Sequence, residues 1–124
     1  MKEVFERIRQ MLADILDVEG DEILPETYIV RELGAESIDL LELAVSLNSG
    51  FNVEINDGDI FLSRLRDYVT EAKGKKDDVV LYLLERLPFL KKDRIEEMMP
   101  DLEDGPTLKV KDLVSYVEWR QENG

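Results

Sequence analysis

Apolar residues in the first stretch of chain fall at Val4, Phe5, Ile8, Met11, Leu12, Ile15 and Leu16, with charged residues between them. That i, i+4, i+7, i+8 spacing is one helical stripe and predicts a helix facing a core. The helix is expected to end near Val18–Asp21, with Gly20 as a left-handed cap. A long connection follows, containing Pro25 and the apolar set Ile23, Leu24, Tyr28, Ile29 and Val30. A connection of that length needs anchoring, so it should pack on the bundle as a loop. Gly34 breaks the chain before a second helical run from about Ser37 to Asn48. Phe51–Ile55 alternates like a short strand, but no second convincing strand is present to pair with it. Three more helices are expected at about 60–73, 77–87 and 92–99, separated by Gly74, Pro88 and Pro100. Val79, Val80, Leu81, Leu83, Leu84 and Leu87 make the middle one apolar on more than one face, which reads as buried. Val110, Leu113, Val114 and Val117 define a terminal helix. With no internal repeat, low-complexity tract or linker, residues 1–124 read as one all-α domain.

Composition narrows the chemistry. The 29 acidic residues outnumber 16 basic ones, and the net charge of −13 argues against a nucleic-acid partner. It argues equally against adsorption to an anionic membrane. No apolar run approaches membrane-spanning length, and the first residues lack a signal-peptide apolar region, so a cytoplasmic, monomeric protein is the expectation. The chain has no Cys, which excludes thiolate metal sites and Cys nucleophiles, and no His, which excludes imidazole general-base catalysis. No metal site is expected. A calcium sensor would suit the acidity, but neither 17–21 nor 101–105 opens a loop with Gly sixth and Glu twelfth. A non-enzymatic role is the better fit.

The second helix carries two apolar stripes at about 100° per residue. Leu40, Leu43, Ala44 and Leu47 form one; Ile38, Leu41 and Val45 form another, centred about 150° away. One stripe is enough to dock a helix, so the second is either more core or a contact surface. Glu36, Asp39 and Glu42 border it, a pattern suited to an electrostatically steered interface. Ser37 opens the helix. It could serve simply as an N-cap, although Leu40 stands where a capping box would place Glu or Gln.

The run Leu33-Gly34-Ala35-Glu36-Ser37-Ile38-Asp39-Leu40-Leu41-Glu42-Leu43 closely resembles the phosphopantetheine attachment motif of acyl carrier proteins. The resemblance extends back through Tyr28–Glu32, forward through Phe51–Ile55, and resumes at Val110–Val117, which looks like the family's last helix. It covers 1–57 and 107–120, leaving 57–106 as a helical insertion near the usual short third helix of a four-helix bundle. Glu36 and Ile38 replace the usual Asp and Leu, which bears on which transferase acts.

This resemblance implies that a phosphopantetheinyl transferase attaches a 4'-phosphopantetheine arm to Ser37 and that the arm carries acyl groups as thioesters. It further implies that Glu36, Ile38, Asp39, Leu41, Glu42 and Val45 meet acyl-transfer and chain-elongation enzymes through their basic docking patches. Ile29, Leu43, Leu47 and Ile55 would line the acyl pocket. Fatty-acid, lipid or polyketide assembly are the implied settings, with an unmodified acidic helical adaptor as the alternative. The insertion holds Ile60, Phe61, Leu62, Leu65, Val79, Val80, Leu83, Leu84, Phe89, Met98 and Met99. It could enlarge the interior for a long or unusual acyl chain, close its own core, or dock a dedicated enzyme.

Overall fold

Ile8 and Leu12, the centre of the first stripe, are almost wholly buried. They place helix α1 (Lys2–Leu16) between α2 (Ser37–Phe51) and α7 (Val110–Asn123), its two main packing partners. These and the elements below come from a computed structural model that describes residues 2–123. Between α2 and α7 run α3 (Asp57–Ile60), α4 (Leu65–Gly74), α5 (Val79–Arg86) and α6 (Lys92–Asp101). Short 3-10 turns occupy Gly20–Glu22 and Leu102–Asp104. The described residues thus form seven α-helices, not a plain four-helix bundle. No strand forms among them, and the only pairing of that kind is a bridge between Tyr28 and Lys109.

Several boundaries differ from the sequence expectation for local reasons. α1 stops at Leu16 because Asp17, not Gly20, adopts the left-handed conformation (φ 55°), and Val18 N–H reaches back to Ala13 C=O at 3.1 Å. α2 continues through Gly50 to Phe51 and ends on left-handed Asn52. The helix expected over 60–73 is two, broken where Leu62 takes φ 56°. α3 begins early because the Asn56 side chain accepts the Asp59 N–H at 3.1 Å. Asp78 starts α5 similarly, accepting the Leu81 N–H at 3.2 Å. α5 is less buried than its composition indicates: Tyr82 and Leu83 are inside, while Leu81 is exposed. Pro100 lies inside the last turn of α6 instead of ending it, where its missing N–H removes one bond near the helix end.

Helices α4, α5 and α6 pack in sequence on one another. Their apolar residues nevertheless join the same core as α1, α2 and α7, with Leu83, Ile95 and Met98 fully buried in it. Phe89, at the α5–α6 corner, meets the Tyr116 ring edge-on at 5.0 Å. Arg94 of α6 is buried against Asp112 of α7, with Nε–Oδ1 at 2.8 Å and Nη2–Oδ2 at 3.0 Å. Its Nη2 also donates to Thr107 C=O at 2.7 Å, and Asp112 Oδ2 accepts the Lys109 N–H at 2.9 Å. One carboxylate therefore caps α7 and holds α6.

A second seam joins the end of α6 and the turn after it to the loop before α2. Arg31 donates to Asp101 Oδ1, Asp101 C=O and Gly105 C=O, each at 2.8 Å. Tyr28 Oη donates to Asp101 Oδ2 at 2.7 Å. Hydrogen bonding to Arg31 holds the Asp101 carboxyl below its ordinary value despite partial burial. Gly105 sits at φ 126°, ψ −164°, a region open essentially to glycine alone. Nearer solvent, Glu26 accepts from Lys109 and Lys111, both at 2.8 Å.

Replacing one member of the buried pair leaves its partner charged and unpaired. Arg94→Met should therefore cost about 3–5 kcal/mol in urea unfolding. The double variant Arg94→Met/Asp112→Leu should cost less than the two single changes added together, by a double-mutant cycle. Hydrogen bonds from Lys109 and Lys111 lower the Glu26 pKa from 4.5 to about 2. Because the folded value lies below the unfolded one, the pair's stabilisation is present above about pH 4.5 and fades as pH falls toward 2. Carboxyl NMR titration should find Glu26 among the lowest glutamate midpoints. Its side chain is 64% exposed, so screening should hold the cost of Glu26→Gln at pH 7 below about 1 kcal/mol.

Candidate functional site

The loop before α2 is shaped by local turns and by the lead-in to α7. Ile29 N–H bonds Leu108 C=O at 3.1 Å, and Val110 N–H bonds Thr27 C=O at 3.0 Å. Leu33 N–H and Gly34 N–H turn back to Tyr28 and Val30 carbonyls, and Gly34 makes the turn at φ 71°. Ala35 is buried behind this turn, while Glu36 and Ser37 emerge into solvent.

Glu36, in extended conformation, is the N-cap of α2, so Ser37 is the first helical residue and not the cap. Asp39 Oδ2 accepts the Glu36 N–H at 2.8 Å, the reciprocal contact of a capping box. The box is offset by one residue from the register expected with Ser37 as cap; the readable signal was an acid three positions after Glu36. As a result the Ser37 hydroxyl has no capping duty. It makes no hydrogen bond to another described residue.

The two stripes of α2 separate cleanly. Leu43, Ala44 and Leu47 are buried and Leu40 is half-buried. Ile38, Leu41 and Val45 are 72%, 59% and 69% exposed, an apolar strip beginning beside Ser37. Glu36 and Glu42 are exposed at its border and Asp39 is half-buried. Of the two readings the sequence allowed for this stripe, more core or an exposed face, the structure shows the exposed face. Charge is concentrated in this part of the molecule: residues 1–56 hold 13 acidic and 4 basic side chains, whereas residues 107–124 hold three of each.

The four expected pocket residues behave differently. Ile29, Leu43 and Leu47 have 1% or less of their surface exposed and belong to the common core, against which half-buried Ile55 packs. A groove of about 850 Å³ lies elsewhere, between Phe5 of α1, Trp119 of α7 and Pro88–Lys91, and no α2 residue lines it. A smaller cleft of about 330 Å³ adjoins α2 at Leu40. Neither is lined by Ile29, Leu43, Leu47 or Ile55. Sequence reading also missed Arg31, whose partner Asp101 is 70 residues away and carries no local signal.

A covalently held phosphate arm fits this serine on three counts. The hydroxyl is exposed and unengaged, it opens a 15-residue helix whose N-terminus favours added negative charge, and Gly34 nearby leaves open space. An exposed, uncommitted serine at that position, bordered by an acidic-apolar helix face, is the arrangement that the resemblance of this motif to carrier domains implies. The family model described as "Phosphopantetheine attachment site" matches residues 6–70. An acyl carrier protein of Nitratidesulfovibrio vulgaris strain Miyazaki F is 35% identical over 74 residues, covering 59% of this chain and 97% of that protein. The acyl carrier protein of N. vulgaris strain DP4 is 41% identical over the same shares of each chain. No solved structure matches. The chain belongs to the acyl carrier protein family, whose members bear covalent 4'-phosphopantetheine.

The family match runs on into α4, yet α7, beyond it, is the helix that packs on α1 together with α2. Asp39→Ala should remove the box that frees Ser37 from capping. Thermal unfolding should show a loss of about 1 kcal/mol, with the core unchanged by NMR.

Proposed function

We propose that Ser37 is the attachment residue and that this chain is a specialised, non-enzymatic carrier in cytoplasmic fatty-acid or lipid assembly, or in the chemically equivalent polyketide assembly. The observation that carries the reading is the Ser37 hydroxyl, exposed at the head of α2 and released from capping by Glu36 and Asp39. When attached, 4'-phosphopantetheine supplies a thiol that holds acyl groups as thioesters, in a chain that has no thiol of its own. The protein's part is to present and steer. Ser37 provides the oxygen of attachment, and the α2 N-terminus favours the phosphodiester charge there. Ile38, Leu41 and Val45 offer the apolar contact, while Glu36, Asp39 and Glu42 select basic patches on a phosphopantetheinyl transferase and on acyl-transfer and chain-elongation enzymes. Residues 57–106, of which the family model reaches only 57–70, act as a helical insertion within the same domain.

Incubation with coenzyme A and a phosphopantetheinyl transferase should add one phosphopantetheine mass by intact mass spectrometry, and Ser37→Ala should abolish it. No gain with several transferases would favour an unmodified adaptor. Raising ionic strength should slow loading, since association relies on exposed acids.

A further inference from the structure

The turn that precedes Ser37 is secured at two levels. Its base is backbone: Ile29 N–H bonds Leu108 C=O, while Gly34 and Ala35 N–H groups turn back to the Val30 and Ile29 carbonyls. Its outer edge is held by side chains. Arg31 lies six residues before Ser37 and donates to Asp101 Oδ1, Asp101 C=O and Gly105 C=O. Asp101 also accepts from Tyr28 Oη, and the Arg31 guanidinium sits over the Tyr28 ring, 4.4 Å from its centroid. Two residues of the turn thus grip one carboxylate at the end of α6.

Two further observations set this grip apart from a solvated surface ion pair. Arg31 Nε is buried with no hydrogen-bond partner among the described residues, a cost that an arginine free in solvent does not bear. Gly105 comes so close that a Cβ there would stand 3.3 Å from that same Nε, and its φ of 126° would strain any other residue. Arg31 and Ser37 lie inside the stretch matched by the family model, whereas Asp101 and Gly105 lie beyond it.

We propose that Arg31 and Asp101 are positioning residues for the loading of Ser37, holding the turn in the one shape that a phosphopantetheinyl transferase reads. This rests on Ser37 bearing the arm. The link does not touch the Ser37 hydroxyl, so cutting it leaves the chemistry at that oxygen as it was. What falls is the fraction of molecules whose turn already has the binding-competent shape. Apparent affinity scales with that fraction, so the loss appears in KM and spares kcat. The backbone bonds at the base stay, so the turn loosens without leaving the segment ahead of α7.

The test is transferase kinetics with coenzyme A and this protein as the varied substrate. Asp101→Ala should raise its KM about five-fold or more, with kcat held within about two-fold. Asp101→Asn, which keeps the side chain's size, should raise KM too and replaces the first variant should that misfold by circular dichroism. Arg31→Met should raise KM at least as much and Arg31→Lys less, while Arg31→Met/Asp101→Ala should add nothing to Arg31→Met. Amide hydrogen exchange at residues 31–34 should quicken in Asp101→Ala. Ile8→Val loosens the core from α1 and lowers the melting temperature, but should leave KM unchanged. Unchanged KM in Asp101→Ala and Arg31→Met, or an equal rise in Ile8→Val, would overturn the positioning role while loading of the native protein stands. Native protein that several transferases fail to load would instead overturn the attachment reading, and the positioning role with it.

Discussion

The bidentate contact between Arg94 and Asp112 is the constraint on which the rest of this structure depends. Two opposite charges removed from water must stay together, since separating them would leave each buried without compensation. That requirement is directional in a way apolar packing is not. It fixes α6 at one height on α7, and the aromatic contact of Phe89 with Tyr116 repeats the restraint at the α5–α6 corner. Because Asp112 also accepts the Lys109 N–H, the start of α7 and the seat of α6 are a single arrangement. A buried ion pair adds little net stability over an apolar substitute; its contribution here is position.

From that anchor, order passes to the serine through the backbone. The segment ahead of α7 exchanges hydrogen bonds with Thr27 and Ile29, and Arg31 ties the following turn to Asp101 and Gly105. Residues beyond the stretch matched by the family model therefore frame the loop from which Ser37 emerges. The apolar strip of α2 and its bordering Glu36 and Glu42 stay exposed, while α4, α5 and α6 pack in sequence on one another and into the common core.

What could be read from the sequence follows the range of the forces involved. The stripes of α1 and α2 repeat every turn, so helix identity and the two-faced character of α2 were legible from spacing. The attachment motif was legible because its residues are contiguous. The distinction between core and surface for Ile38, Leu41 and Val45 was left open, since exposure depends on what packs opposite. Asp17 and Leu62 take left-handed conformations without glycine, so two helix boundaries gave no warning. Arg31 with Asp101, and Arg94 with Asp112, join residues far apart in sequence and carry no periodic trace. Ile29, Leu43 and Leu47 were recognisable as interior positions, because each lies in an apolar pattern and is buried in the common core.

The bridge between Tyr28 and Lys109 also has a temporal side. A contact spanning that much chain closes late, because the ends of a long loop must find each other before any bond repays the search. The turn before Ser37 has local hydrogen bonds of its own, but its full set is complete only once the segment at the start of α7 has closed on Thr27 and Ile29.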